Sequence, residues 1–246
     1  MKNYVIHPIP LLTHDFDKTK MTYLLNLGQK ITIANYIWYI EGPKENIVVD
    51  AGITPERLIS RGYKVTPVQT LDEGLKKLGL KASDIDIVII THTDHDHIAL
   101  AHKFVRAKFI IQQAELEAAR NPHPFFKALR VADFTQLIDG LNFEVVKGDT
   151  KIDDNIELLL TPGHTRGGQS VAVKTKQGTV IIAGWCSIQE NFDPPPELRA
   201  KGLSFIPPGV HIDLLEGWNS IARVKSITDF IIPLHELEYI NKAKIG

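Results

Sequence analysis

The chain's strongest constraint on its own fold is a repeated step from an apolar, strand-like run into a loop that carries histidine. The run 85–90 (IDIVII) leads into THTDHDHI at 91–98, the run 155–161 (NIELLLT) into PGHTRGG, and the run 228–232 (TDFII) into PLHE. Short apolar runs bounded by Pro and Gly read as strands. Ligand-type side chains on several strand ends are a common way to assemble a site at one edge of a sheet.

Other elements fit around these runs. Strands are expected at 31–40 (ITIANYIWYI) and 46–50 (NIVVD), joined by the turn EGPKE, and at 107–112, 169–175 and 179–183, with KQG at 176–178 as a hairpin turn. Helices are expected at 70–79, ending at Gly79, at 113–120, and at 213–226, where Leu214, Leu215, Trp218, Ile221 and Val224 fall on one side. Helices and strands alternate in both halves while neighbouring strands often read as hairpins. This pattern suggests two mixed sheets packed together with helices outside. No repeat or linker divides the sequence, so residues 1–246 read as a single domain.

Composition excludes several classes. With 28 basic and 29 acidic side chains the formal net charge is −1, which gives no reason to expect nucleic acid or an anionic membrane surface as partner. The single Cys186 rules out an internal disulfide framework and a Cys-rich zinc module. The opening MKNYVIHPIPLLTHDFDKTK has no uninterrupted apolar stretch of the kind a signal peptide needs, and no run approaches the ~20 apolar residues of a membrane span. A cytoplasmic soluble protein is expected.

The segment 92–97 is the densest in chemistry. In extended chain the i, i+2, i+4 spacing puts His92, Asp94 and Asp96 on one side, with Thr93 and His95 on the other. His97 rejoins them if the chain turns into a helix there. Imidazole with carboxylate suits zinc, iron or manganese without thiolate. Taken alone, His164 and His235 read either as ligands or as ordinary core or surface histidines. His7, His14, His102, His123 and His211 have no comparable context and receive no role.

These segments, together with NIVVDAG at 46–52, SDIDIVIITH at 83–92, TPGHT at 161–165, VIIAG at 180–184 and IIPLH at 231–235, resemble the metallo-β-lactamase fold superfamily, and in particular its branch of N-acyl homoserine lactonases and related hydrolases. The resemblance implies an α/β (α+β) four-layer αββα sandwich of two mixed β-sheets with the metal site at one edge. It implies a metal-dependent hydrolase that uses a metal-bound water or hydroxide on an ester, lactone or related acyl bond of a small-molecule substrate. The cofactor would be one or two zinc ions, with iron or manganese as alternatives. In the family pattern His-x-His-x-Asp-His, His92, Asp96 and His97 match directly, Asp94 stands at the second histidine position, and His95 is one residue out of register and would face away from the metals. By resemblance His92, Asp94 and His164 would hold a first metal and Asp96, His97 and His235 a second. Asp50 would orient ligands, and Asp96 would also act in catalysis on the nucleophile or its proton.

Two positions depart from the family. The bridging Asp expected after Gly184 is Trp185, followed by Cys186, whose thiolate is a candidate metal ligand with a buried inert thiol as the alternative. The stretch 187–192 (SIQENF) lacks the tyrosine with which the lactonase branch contacts substrate. Trp185, Phe192, Phe205 and the Pro-rich segment 194–208 either wall a substrate pocket or close the core. Two rival functions follow: an iron-based redox or gas-binding protein, suggested by Asp94, and a non-catalytic small-molecule-binding relative, suggested by the lost bridge.

Overall fold

Among residues 4–129 and 134–246, which this computed structural model describes, twelve strands form two sheets. The first sheet contains β1 (Val5–Asp17), β2 (Lys30–Glu41), β3 (Ile47–Val49), β4 (Val65–Pro67), β5 (Ile87–Ile89), β6 (Lys108–Gln112) and β7 (Phe143–Val146), in the order β4-β1-β2-β3-β5-β6-β7. The second contains β8 (Thr150–Lys151), β9 (Ile156–Leu160), β10 (Gln169–Thr175), β11 (Gly178–Ile182) and β12 (Phe230–Ile232), in the order β12-β11-β10-β9-β8. Both are mixed: β3, β5, β6 and β7 run parallel, as do β11 and β12, while the remaining pairs are antiparallel.

Alternation along the strands builds the layers. In β2, Tyr36, Trp38 and Ile40 face the second sheet and pack with Leu158, Val171 and Ile182, while Ile37 and Tyr39 face outward under Leu71, Leu75 and Phe104. On the outer face of the second sheet, Leu159, Ala172 and Ile181 pack against Ile221 and Val224 of the helix Leu214–Ile227. Each fully buried side chain of this size contributes about 1.5–3 kcal/mol. The arrangement is the expected αββα sandwich. No helix among the described residues is long and apolar enough to cross a membrane.

The helix expected at 213–226 runs one residue later at each end, and its buried stripe is Gly217, Ser220, Ile221 and Val224. Leu215 is 74% exposed, so it does not share the apolar face expected of it. A larger departure is β1, a thirteen-residue strand in a stretch where no strand was expected. Pro8 and Pro10 hide it in the sequence, because proline cannot donate to a ladder. They fit because β4 pairs with β1 only at residues 12–14, past an irregularity in register between Pro10 and Leu12. β1 matters below, since it carries His14 into the site.

Candidate metal centre

The strand β5 is followed by an extended segment to Asp94, which is the N-cap of a one-turn helix, His95–Ile98. That turn splits the ligand-type residues into two groups. His92, Asp94 and His164 come together, as do Asp96, His97 and His235; within each group one donor atom per residue lies within 4.8 Å of the others. His164 Nε2 is 3.4 Å and His92 Nε2 4.0 Å from Asp94 Oδ2, while His97 Nε2 is 3.4 Å and His235 Nε2 3.9 Å from Asp96 Oδ2. The groups adjoin through the rings of His92 and His97, whose centroids are 4.0 Å apart. Extended spacing alone would have put Asp96 with His92 and Asp94. Helix formation at His95 sends it to the other group.

Each histidine is held from behind. His164 Nδ1 donates to Val210 O at 2.6 Å and His235 Nδ1 to Ala34 O at 3.0 Å. His97 Nδ1 contacts Asp50 Oδ2 at 2.7 Å. His92 Nδ1 lies 3.0 Å from Thr91 Oγ1, whose hydroxyl donates to Asp50. Anchoring Nδ1 leaves Nε2 as the inward-facing donor, which is how proteins orient imidazole toward a metal. The Nε2 atoms of His92 and His164 are buried and have no hydrogen-bond partner among the described residues. Buried polar nitrogens of this kind normally have a partner, so a metal ion fits these residues. Both groups offer two imidazoles and one carboxylate.

The electrostatics are consistent with a site made for cations. Burial works against the Asp96 carboxylate, yet His97 outweighs it and holds Asp96 well below the usual carboxylate range. Burial likewise opposes the His97 imidazolium, but Asp96 and Asp50 push it well above 6.5. Burial, reinforced by the neighbouring imidazoles, drives His92 well below 6.5, and burial brings His235 down to about 4.

A cavity of about 140 Å³ opens onto both groups. His95, expected to face away, belongs to neither group, but its ring lines this cavity because it stands at the first position of the helix rather than on an extended strand. Cys186 also lines the cavity, with its sulfur outside both groups and its thiol directed at Met21 Sδ, 3.2 Å away. Burial and the carboxylates of Asp96 and Asp94 push that thiol well above its usual range. Trp185 turns away from the site into the cluster beneath the helix Leu214–Ile227, with Phe192 at 5.7 Å and Phe205 at its margin. These three aromatics close the core there and do not line the cavity. The chain is held tightly at this point: a Cβ on Gly184 would lie 1.8 Å from Gln169 O.

Several site residues escaped the sequence reading. His14 of β1, assigned no role, is 5% exposed and lines the cavity between Phe16 and Tyr63, with ring centroids 5.7 and 5.1 Å away. Burial lowers its pKa against the pull of Asp96. Asn35 donates to Asp96 Oδ2 at 3.0 Å, and a lone amide inside the apolar run 31–40 was a usable signal. Glu115 is 1% exposed and accepts from Thr93 N, Thr93 Oγ1 and Gly167 N at 2.8, 2.7 and 3.0 Å. Nothing in its local sequence marked it.

Known proteins share the family and the fold. The metallo-beta-lactamase superfamily domain matches residues 33–184. An N-acyl homoserine lactonase of Bacillus sp is 27% identical over 191 residues, covering 72% of this chain and 74% of the relative. In fold, the chain is similar to an N-acyl homoserine lactone hydrolase solved with the product N-hexanoyl-L-homoserine at its catalytic metal centre, with a TM-score of 0.78, 23% identity and coverage of 97% of this chain and 95% of that one. It is also similar in fold to AidC, a dizinc quorum-quenching lactonase, with a TM-score of 0.70, 14% identity and coverage of 99% and 91%.

Proposed function

The chain belongs to the metallo-beta-lactamase superfamily, and from that premise we propose that it is a metal-dependent hydrolase of ester, lactone or related acyl bonds in a small molecule, built as one domain over residues 1–246. One observation carries the reading: two adjoining groups, each of two imidazoles and a carboxylate, with every histidine anchored at Nδ1. His92, Asp94 and His164 would hold one ion, and Asp96, His97 and His235 the other. Zinc is the proposed metal, and the same donors also accept iron or manganese. A metal bound there supplies a Lewis acid for the scissile carbonyl and brings the acidity of water toward neutrality.

The chain's own residues do the rest. Asp96 is partly open to the cavity, orients the attacking water and takes up its proton. Asn35 fixes Asp96 Oδ2, and Asp50 fixes the ring of His97. Phe16, Ile33 and Leu58 give the cavity an apolar wall suited to an acyl group, while His14, His95 and Tyr63 supply polar contacts to the carbonyl and leaving oxygen. Ile188 stands in the stretch where the lactonase branch carries its substrate-contacting tyrosine, so these three take over that polar role. The lactonase relatives make N-acyl homoserine lactones the first substrates to try. The cytoplasm is the proposed location, where reducing conditions keep the lone buried Cys186 a thiol.

The test is metal content together with turnover of a panel of lactones, esters and phosphodiesters, with His92→Ala and His97→Ala as controls. Loss of turnover in the metal-stripped protein and in both variants is expected, and equal activity in all of them would sink the reading. The identical donor sets favour one rival, an iron-based redox or gas-binding centre, because two imidazoles and a carboxylate also suit ferrous iron. Iron as the resident metal, with an optical change on exposure to oxygen or nitric oxide, is the result that would select it.

A further inference from the structure

We propose that Glu115 and Asn35 are positioning residues that serve one metal group each, so that removing either side chain weakens one group and spares the other. The proposal rests on the metal-centre reading above.

Glu115 lies in the first turn of the helix Gln113–Arg120, on a different element from any of the six proposed ligands. Its carboxylate reaches two separate ligand loops. Oε1 accepts from the backbone and hydroxyl of Thr93, which stands between His92 and Asp94, and Oε2 accepts from the backbone of Gly167, three residues after His164. One side chain therefore ties together both chain segments that supply the first group. The contact is close enough to restrict the loop residue, because a Cβ on Gly167 would lie 2.2 Å from Glu115 N. Burying a carboxylate is unfavourable unless its oxygens are satisfied. All three partners here are donors, and the start of the helix adds favourable backbone dipoles. An apolar side chain would fill the same space but would leave two backbone N–H groups unpaired and the two loops free to shift against each other.

Asn35 plays the corresponding part for the second group. It is 1% exposed, and its Nδ2 holds Asp96 Oδ2, the oxygen nearest both His97 and His235. The preceding residue, Ala34, accepts from His235 Nδ1 and donates to His235 O at 3.1 Å, so two consecutive residues of β2 fix two of the three donors. Among the described residues, the side-chain hydrogen bonds of Glu115 go to loops of the first group alone, and that of Asn35 goes to the second group alone. The stretch 184–187 (GWCS) offers no carboxylate to span them.

The experiment is zinc titration of the metal-free protein by calorimetry, in backgrounds that retain one group each. His235→Ala leaves the first group intact, and His92→Ala leaves the second. Glu115→Ala in the His235→Ala background is expected to weaken zinc roughly 10–100-fold, the usual cost of removing a group that orients a ligand, and to leave affinity in the His92→Ala background unchanged. Asn35→Leu is expected to show the reverse. Glu115→Gln keeps the volume and one acceptor oxygen, should fold where alanine does not, and should fall between wild type and alanine. Equal weakening of both groups by either variant, or no weakening, overturns the proposal while leaving the hydrolase reading intact. Wild-type protein that takes up no zinc, iron or manganese overturns both.

Discussion

Asp50 and His97 form a buried pair with Oδ2 and Nδ1 2.7 Å apart, and the same carboxylate receives the Thr91 hydroxyl that backs His92. One side chain outside the donor sets thus orients a ligand in each group. Asp50 holds this position with a backbone φ of +63°, a left-handed conformation that Asp and Asn tolerate better than most residues.

Asp50→Asn is therefore expected to preserve the backbone and damage the site. The carboxamide keeps the shape but gives up one acceptor, so zinc affinity should fall roughly 10–100-fold at both groups. Calorimetric titration of the metal-free variant checks this. Loss confined to one group would show that the Thr91 link to His92 carries no orienting force.

Loading the second group should release a proton. His97 keeps a proton near neutral pH in the metal-free protein: burial disfavours it, but Asp96 and Asp50 outweigh burial and raise its pKa well above 6.5. His92 and His235 are lowered, so both are already neutral there. Zinc entering the second group must displace the His97 proton, so its affinity should rise about tenfold per pH unit until that pKa is passed. The His92→Ala variant, which keeps the second group, should release about one proton on binding zinc. Titration in two buffers of different ionisation enthalpy measures the released proton, and no dependence on the buffer would refute it.

His14→Phe keeps an aromatic ring between Phe16 and Tyr63 while removing the imidazole from the cavity wall. The expected outcome is unchanged metal content with kcat/KM reduced about tenfold, roughly one hydrogen bond to substrate. A variant with full kcat/KM would make His14 a packing residue only.

Trp185→Asp restores the family's residue type but should not restore a bridge. The indole points away from the metal groups, among Leu159, Ile181, Phe192 and Ile221. A carboxylate there would be buried in apolar surroundings and leave a cavity, costing about 3–5 kcal/mol. A lowered urea midpoint with unchanged zinc affinity is expected. A gain in affinity would mean that the 184–187 segment can turn over.

Most of the fold and the four proposed ligands at 92–97 were legible because they obey local rules, whereas His164 and His235 were marked only by the resemblance of their TPGHT and IIPLH segments to the family. Strands such as β9 and β10 declare themselves by β-branched and apolar runs, and the 92–97 segment by the density of its donors. What was hidden depends on partners distant in sequence. β1 looked non-regular because of Pro8 and Pro10, which are tolerated only where β4 stops pairing. Glu115 looked like a surface residue of a short polar helix until the loops holding Thr93 and Gly167 closed over it. His95 was misplaced by assuming that extended alternation continued past Asp94, where the chain had already turned helical.

The ligands' places in the two sheets have one more consequence. His92, Asp94, Asp96 and His97 follow β5 in the first sheet, whereas His164 follows β9 and His235 follows β12, both in the second. An ion in either group therefore staples one layer of the sandwich to the other across a long stretch of intervening chain. Ligands that bind only the native state raise its resistance to unfolding by mass action. The melting temperature then becomes a gauge of how many staples are closed, readable before any substrate is known.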